Sequence, residues 1–204
     1  MNNVCYPMIA NQATPSKFGP LWPPCKLRSD LRDELEEADR CLGAGGYEEA
    51  HECAKEIAEE AGLKYLGAGI HRAGFTFGSC VVKLALSSDG VDANKAEHEA
   101  WQKIGRNYTN IFAPVHDYAS DYLWITQPRL VPISGFKNAY KYEDQFIQKT
   151  RSRGIDCGWD ARPHNLGLKK GGRDAFLYDY GMGITCTVRT PSGTKKVEVR
   201  GAMI

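Results

Sequence analysis

From residue 63 onward, short apolar runs follow one another with few residues between them, and this spacing limits the fold more than any other feature. "LKYLGAGI", "GFTF" and "SCVVKLAL" read as strands punctuated by glycine. "FAPVHDYAS" and "YLWITQPRL" read as two further strands or strand-like turns, "AFLYDYG" as another, and "ITCTVRTPSGTKKVEV" as a closing hairpin. Parallel strands need crossovers of a dozen or more residues, and these turns leave little room for them. Two helices interrupt the series, "ANKAEHEAWQKI" and residues 141–153, "KYEDQFIQKTRSR", which Gly154 stops. The expected fold class is therefore α+β with a mainly antiparallel sheet.

The segment before residue 63 has a different texture. Residues 1–28 are rich in Pro and Asn, end in "LWPPCK", and read as an extended arm with Trp22 as an anchor. Ser29 stands as an N-cap, and residues 30–42 carry Leu31, Leu35, Ala38 and Leu42 at helical spacing. "GAGG" breaks the chain, and "YEEAHECAKEIAEEAG" resumes a helix that Gly62 ends. The expected divisions are an arm at 1–28, a helical hairpin at 29–62, a strand-rich part at 63–130 and a second part at 131–204. The hairpin's apolar stripe requires a surface, on this chain or on a partner.

Composition narrows the function classes. A net charge of +1 gives no global attraction to nucleic acid, so none is expected as a partner. The balance hides an asymmetry: residues 30–60 hold twelve acids and three bases, while residues 137–204 hold thirteen bases and seven acids. Solvated faces account for this, or else the basic half handles an anion such as phosphate. No run approaches the roughly 20 apolar residues of a membrane span. The first residues lack the basic start and long apolar core of a secretory signal. Seven scattered cysteines without a C-x-x-C pair suggest reduced thiols in a cytoplasmic protein. Cys41, His51 and Cys53 match no zinc spacing.

Several residues have chemistry to offer. Gly67 and Gly69 of "LGAGIHRAGF" stand where a strand turns back, as a phosphate cradle requires, although a plain hairpin turn needs them equally. Strand alternation puts Lys83 on the face opposite Val82 and Leu84, facing solvent or a buried partner. Glu97 is the candidate partner and Glu99 the rival. In "DARPHN", Asp160 and Asn165 stand five apart, and Asp179 follows fourteen residues beyond Asn165. An Asp can orient a nucleophile, while an amide and a second carboxylate can share a divalent metal with phosphate oxygens. An Asx-type turn is the alternative for that loop.

Residues 63–181 resemble the protein-kinase-like superfamily, in particular its short, divergent members from bacteria and phages. "LGAGIHRAGF" is similar to the family's Gly-rich loop, Lys83 to its ATP-positioning lysine, and Glu97 to its helix glutamate. "DARPHN" is similar to the D-x-K-P-x-N catalytic loop, with Arg162 for the lysine, and "DYG" from Asp179 to D-F-G. "YLWITQPRL" stands at the hinge, making Thr126 the gatekeeper and Gln127 to Arg129 the adenine-facing stretch. The departures are Arg72 for the loop's third glycine, Gly158-Trp159 for the usual H-R, and no A-P-E segment. Twenty-three residues follow Gly181, too few for a large peptide-binding helical lobe.

The resemblance implies a strand-rich N-lobe, a truncated C-lobe, and a minimal phosphotransferase that uses ATP and Mg²⁺. Gly67, Gly69, Arg72 and Lys83 would meet the nucleotide's phosphates, and Asn165 and Asp179 the metal. Asp160 would orient the acceptor hydroxyl and Arg162 stabilise transferred charge. The acceptor is open, with a protein Ser/Thr among the choices. The alternative is a pseudokinase-like binding protein that docks onto and regulates a protein partner.

Overall fold

The computed structural model describes Trp22 and residues 24–42, 45–103, 108–156, 161–180, 183–190 and 193–200. Helix α1 spans Ser29–Glu36 and α2 spans Asp39–Leu42, so the stretch expected as one helix is two. The first begins a residue early: Arg28, not Ser29, takes the extended cap position, and its carbonyl accepts the Arg32 N–H at 3.1 Å. At the break, the N–H groups of Ala38 and Cys41 donate to carbonyls three residues back. That tighter winding keeps Leu35, Ala38 and Cys41 all buried. Helix α3 spans Tyr47–Glu60. Gly62 ends it at φ 71°, while the Leu63 N–H reaches back to the Ala58 carbonyl and the Gly62 N–H to that of Glu59. This pair of bonds needs a left-handed residue, which glycine adopts without a Cβ clash.

Five antiparallel strands follow: β1 (Lys64–Ala68), β2 (Arg72–Phe77), β3 (Cys80–Ala85), β4 (Asp117–Tyr118) and β5 (Trp124–Pro128). They are ordered β1-β2-β3-β5-β4. Helix α4 (Ser88–Lys103) lies between β3 and β4 in sequence. Alternation assigns the two faces of this sheet. Phe75, Val82, Leu84 and Trp124 join Leu31, Leu35, Ala54 and Ile57 in one buried cluster, so α1 to α3 cover one face. Each such leucine contributes about 1.5–3 kcal/mol by leaving water. Ile125 turns to the other face, toward Ala96 and Ala100 of α4.

That second cluster continues into the rest of the chain. Two small sheets, β6-β8-β9 and β11-β10-β7, are built from β6 (Val131–Pro132), β7 (Ile155–Asp156), β8 (Leu166–Leu168), β9 (Ala175–Leu177), β10 (Gly183–Thr190) and β11 (Gly193–Arg200). Helix α5 (Ala139–Arg151) packs Phe146 beside Ile133, Leu166 and Leu177. Backbone bonds from Ala113 to Leu177 and from Leu177 to Ile111, both 2.8 Å, tie β9 to the segment after α4. The class is α+β with antiparallel sheets, and among the described residues no helix is long and apolar enough to cross a membrane.

The expectation of reduced thiols is corrected. Cys25 is bonded to Cys80, and Cys41 to Cys53, both with Cα atoms 5.6 Å apart. Sequence spacing gave no sign of this, because the fold brings Cys25 to the start of β3 across 55 residues. Closing loops of 55 and 12 residues restricts the unfolded chain by about 4 and about 3 kcal/mol respectively. The cytoplasmic reading loses the support it drew from free thiols. Cys5 and Cys157 lie outside the described residues.

Candidate functional site

The site grows from the β1–β2 turn. Gly67 has φ 151°, a conformation open to glycine but strained for other residues, and the pairing of β1 with β2 shifts register there. Gly67 then stands opposite Gly74. The turn is pinned from beneath: the Leu86 N–H donates to the His71 carbonyl at 2.8 Å, and Gly90 at the start of α4 leaves no room for a side chain. A Cβ there would sit 2.1 Å from that carbonyl oxygen. Arg72, the next residue, is thereby aimed inward.

Beneath the turn lies a buried polar network. Glu97 of α4 is fully buried, and its two oxygens accept four hydrogen bonds from three groups: Lys83 Nζ at 2.8 and 2.9 Å, Arg72 Nη1 at 2.6 Å and Gln127 Nε2 at 2.9 Å. Lys83 also donates to the Tyr178 carbonyl at 2.8 Å and lies 3.8 Å from Asp179 Oδ1. Arg72 reaches further, with Nη2 2.6 Å from Asp179 Oδ1 and Nη1 3.3 Å from Asn94 Oδ1. Two cations and two anions thus neutralise one another.

Burial would lower the Arg72 pKa, but Glu97 and Asp179 outweigh it and raise it above its ordinary value. Burial would raise that of Asp179, but the charges of Lys83 and Arg72 hold it well below the carboxylate range. The Tyr178 hydroxyl is pushed up to about 12 by burial, then by the charges of Asp179 and Glu97.

A cavity of about 410 Å³ opens beside this network. Leu66, Gly67 and Gly74 line it from the β1–β2 hairpin, Val81 and Lys83 from β3, Gln127 to Leu130 from the end of β5, and Tyr178 from the segment after β9. Its lining is thus largely apolar, with two glycines, two cations, Lys83 and Arg129, and the amide of Gln127. Such a cavity suits a flat apolar group joined to an anion.

The predicted residues fare differently. Lys83, Glu97, Arg72 and Asp179 are brought together, and Gln127 and Arg129 line the cavity. Glu99 instead pairs with Lys103 at 2.7 Å on the outer side of α4. Gly69 sits at the exposed turn, its N–H donating to the Arg72 carbonyl at 2.9 Å. Thr126 points away from the cavity, its hydroxyl donating to the Cys25 carbonyl. Gln127, one residue on, is the one whose side chain turns toward the cavity and Glu97, while Trp124, like Thr126, lies on the opposite side of the strand, in the cluster under the hairpin.

Arg162 lies 3.6 Å from Glu143 of α5 rather than at the cavity. Asn165 touches the site through its backbone, its carbonyl accepting the N–H groups of Tyr178 at 2.9 Å and Asp179 at 3.4 Å. Asp160 lies outside the described residues.

Sequence reasoning missed Asn94. It is fully buried and donates to the carbonyls of Tyr122 and Leu123, at 2.9 and 3.3 Å. Its signal was present: Asn94 and Glu97 stand one helical turn apart and share a face with Gly90 and Trp101.

Asn165 and Asp179 offer oxygens of the kind Mg²⁺ takes alongside phosphate. The one carboxylate of the pair, however, already faces Arg72 and Lys83. Among the described residues, no group of three or more His, Cys, Asp or Glu could hold a metal. The pair therefore fits a dication poorly. No protein-family model matches the chain, and no curated protein matches it.

Proposed function

We propose that this chain binds a nucleoside triphosphate in the cavity beside Lys83 and is a minimal, protein-kinase-like phosphotransferase acting on a hydroxyl acceptor. One observation carries the reading: Lys83, anchored by both oxygens of Glu97, lines a largely apolar cavity together with Gly67 and Gly74. The base would lie between Leu66, Val81 and the stretch from Gln127 to Leu130, and ATP is the proposed nucleotide. Its phosphates would extend toward Lys83 under the glycine turn. Asp160 is the residue proposed to orient the acceptor.

Calorimetric titration with ATP tests the binding part. Lys83→Ala should weaken affinity about tenfold or more, as loss of a phosphate contact in a partly dry cleft does. Asp160→Asn should abolish transfer from labelled ATP while leaving affinity nearly unchanged. A transfer rate intact in Asp160→Asn would remove the role given to Asp160.

A second reading, a pseudokinase-like protein that binds nucleotide and regulates a protein partner, is favoured by one feature. Three acceptors, the two oxygens of Glu97 and the Tyr178 carbonyl, surround the Lys83 ammonium within the protein itself. ATP binding without label on any acceptor would select it.

A further inference from the structure

Arg72 occupies a position from which it changes what the site needs. Lys83, Glu97 and Asp179 alone would carry a net charge of −1, repelling a polyphosphate until a dication joined Asp179. Arg72 brings that set to zero. Its guanidinium is not a chance visitor to Asp179. Nη1 is anchored on Glu97 at 2.6 Å and on Asn94 at 3.3 Å, both fully buried residues of α4, and Nη2 meets Asp179 at 2.6 Å. The backbone behind it is fixed by the contact of His71 with Gly90 and Leu86. A dication approaching Asp179 would meet a tethered positive charge that cannot withdraw without leaving Glu97 short of a donor.

We infer that Arg72 takes over the charge-compensating part of a divalent cation at Asp179, so that the cavity accepts a nucleoside triphosphate whether or not magnesium is present. The inference rests on the nucleotide reading above. Arg72 acts here through Asp179 and is a positioning residue. Its signature is thermodynamic coupling: where a metal and a nucleotide share a site, each raises the affinity of the other by the same factor. Arg72 removes most of that factor.

The test is calorimetric titration of the full chain with ATP, once in excess Mg²⁺ and once in EDTA. The wild-type affinities should agree within about threefold, while those of Arg72→Ala should differ by about tenfold or more in favour of Mg²⁺. Arg72→Lys keeps the charge without the fork and should stay near the wild-type ratio, which a purely structural role for the guanidinium would not produce. Wild-type binding that weakens more than about tenfold in EDTA overturns the inference and leaves the nucleotide reading standing. An Arg72→Ala ratio equal to the wild-type ratio also overturns it. If Arg72→Ala does not fold, the wild-type and Arg72→Lys ratios decide. Absence of ATP binding under both conditions overturns the nucleotide reading and this inference together.

Discussion

Glu97 takes more donors than any other described side chain in the network, and its removal has a calculable penalty. Glu97→Ala takes from Lys83, Arg72 and Gln127 the acceptor they share and leaves two cations against the single carboxylate of Asp179. Breaking a buried pair in this way costs about 3–5 kcal/mol. Glu99→Ala, two residues away, removes only an exposed pair with Lys103 and should change stability by less than about 0.5 kcal/mol. Chemical denaturation of the two variants measures the contrast, and similar losses for both would contradict the network described here.

Acid should destabilise the protein in two stages. The pKa of His116 is lowered by burial from 6.5, and its Nδ1 accepts the Cys25 N–H at 3.0 Å, so the folded state prefers the neutral ring. A depressed folded pKa means that this contribution is complete above 6.5 and is lost as pH falls below it. Asp179, depressed from 3.8 by Lys83 and Arg72, obeys the same sign in a lower window. Urea midpoints should therefore decline first below about pH 6.5 and again below about pH 4. A midpoint constant across both windows would show that neither shift exists.

At the scale of elements, the contact between the β1–β2 turn and the start of α4 is the tightest backbone approach near the site. Gly90→Ala would force a Cβ to within 2.1 Å of the His71 oxygen, against backbone that cannot swing aside. Overpacking of this kind costs about 1–3 kcal/mol. Because Arg72 follows His71 directly, the same variant should also weaken ATP binding. Thermal melts and titrations on Gly90→Ala measure both, and a variant equal to wild type in each would show the turn to be loosely held.

Much at this scale was readable in the sequence. The strands follow from apolar runs broken by glycine, the antiparallel arrangement from the short turns between them, and the opposite facing of Lys83 and Val82 from period-two alternation. What was not readable depends on distant partners. The choice between Thr126 and Gln127 is a matter of which face the hairpin covers. The pairing of Cys25 with Cys80 is invisible until the arm is laid beside β3. The commitment of Arg72 to both acids needs three elements in place at once.

For the whole molecule, the arm before α1 has a consequence for how the cavity is entered. Trp22 is fastened to the second part of the chain, its indole N–H donating to the Thr109 carbonyl at 3.1 Å and its ring meeting Phe176 edge-on at 4.7 Å. Three positions later, Cys25 is covalently joined to the five-stranded sheet at Cys80. Three residues can span at most about 10 Å. The arm is thus a short tether across the two bodies that wall the cavity, and it limits how far they can part. A dithiol reductant that cuts Cys25 from Cys80 leaves the arm held to the sheet by hydrogen bonds alone, to His116, Asp117 and Thr126, and so loosens the tether. The expected result is faster hydrogen exchange at the backbone of β9 and faster ATP association, both reversed by a Trp22-independent restraint such as reoxidation. Exchange and association rates identical in the presence and absence of reductant would mean that the bodies are held together by their shared core alone.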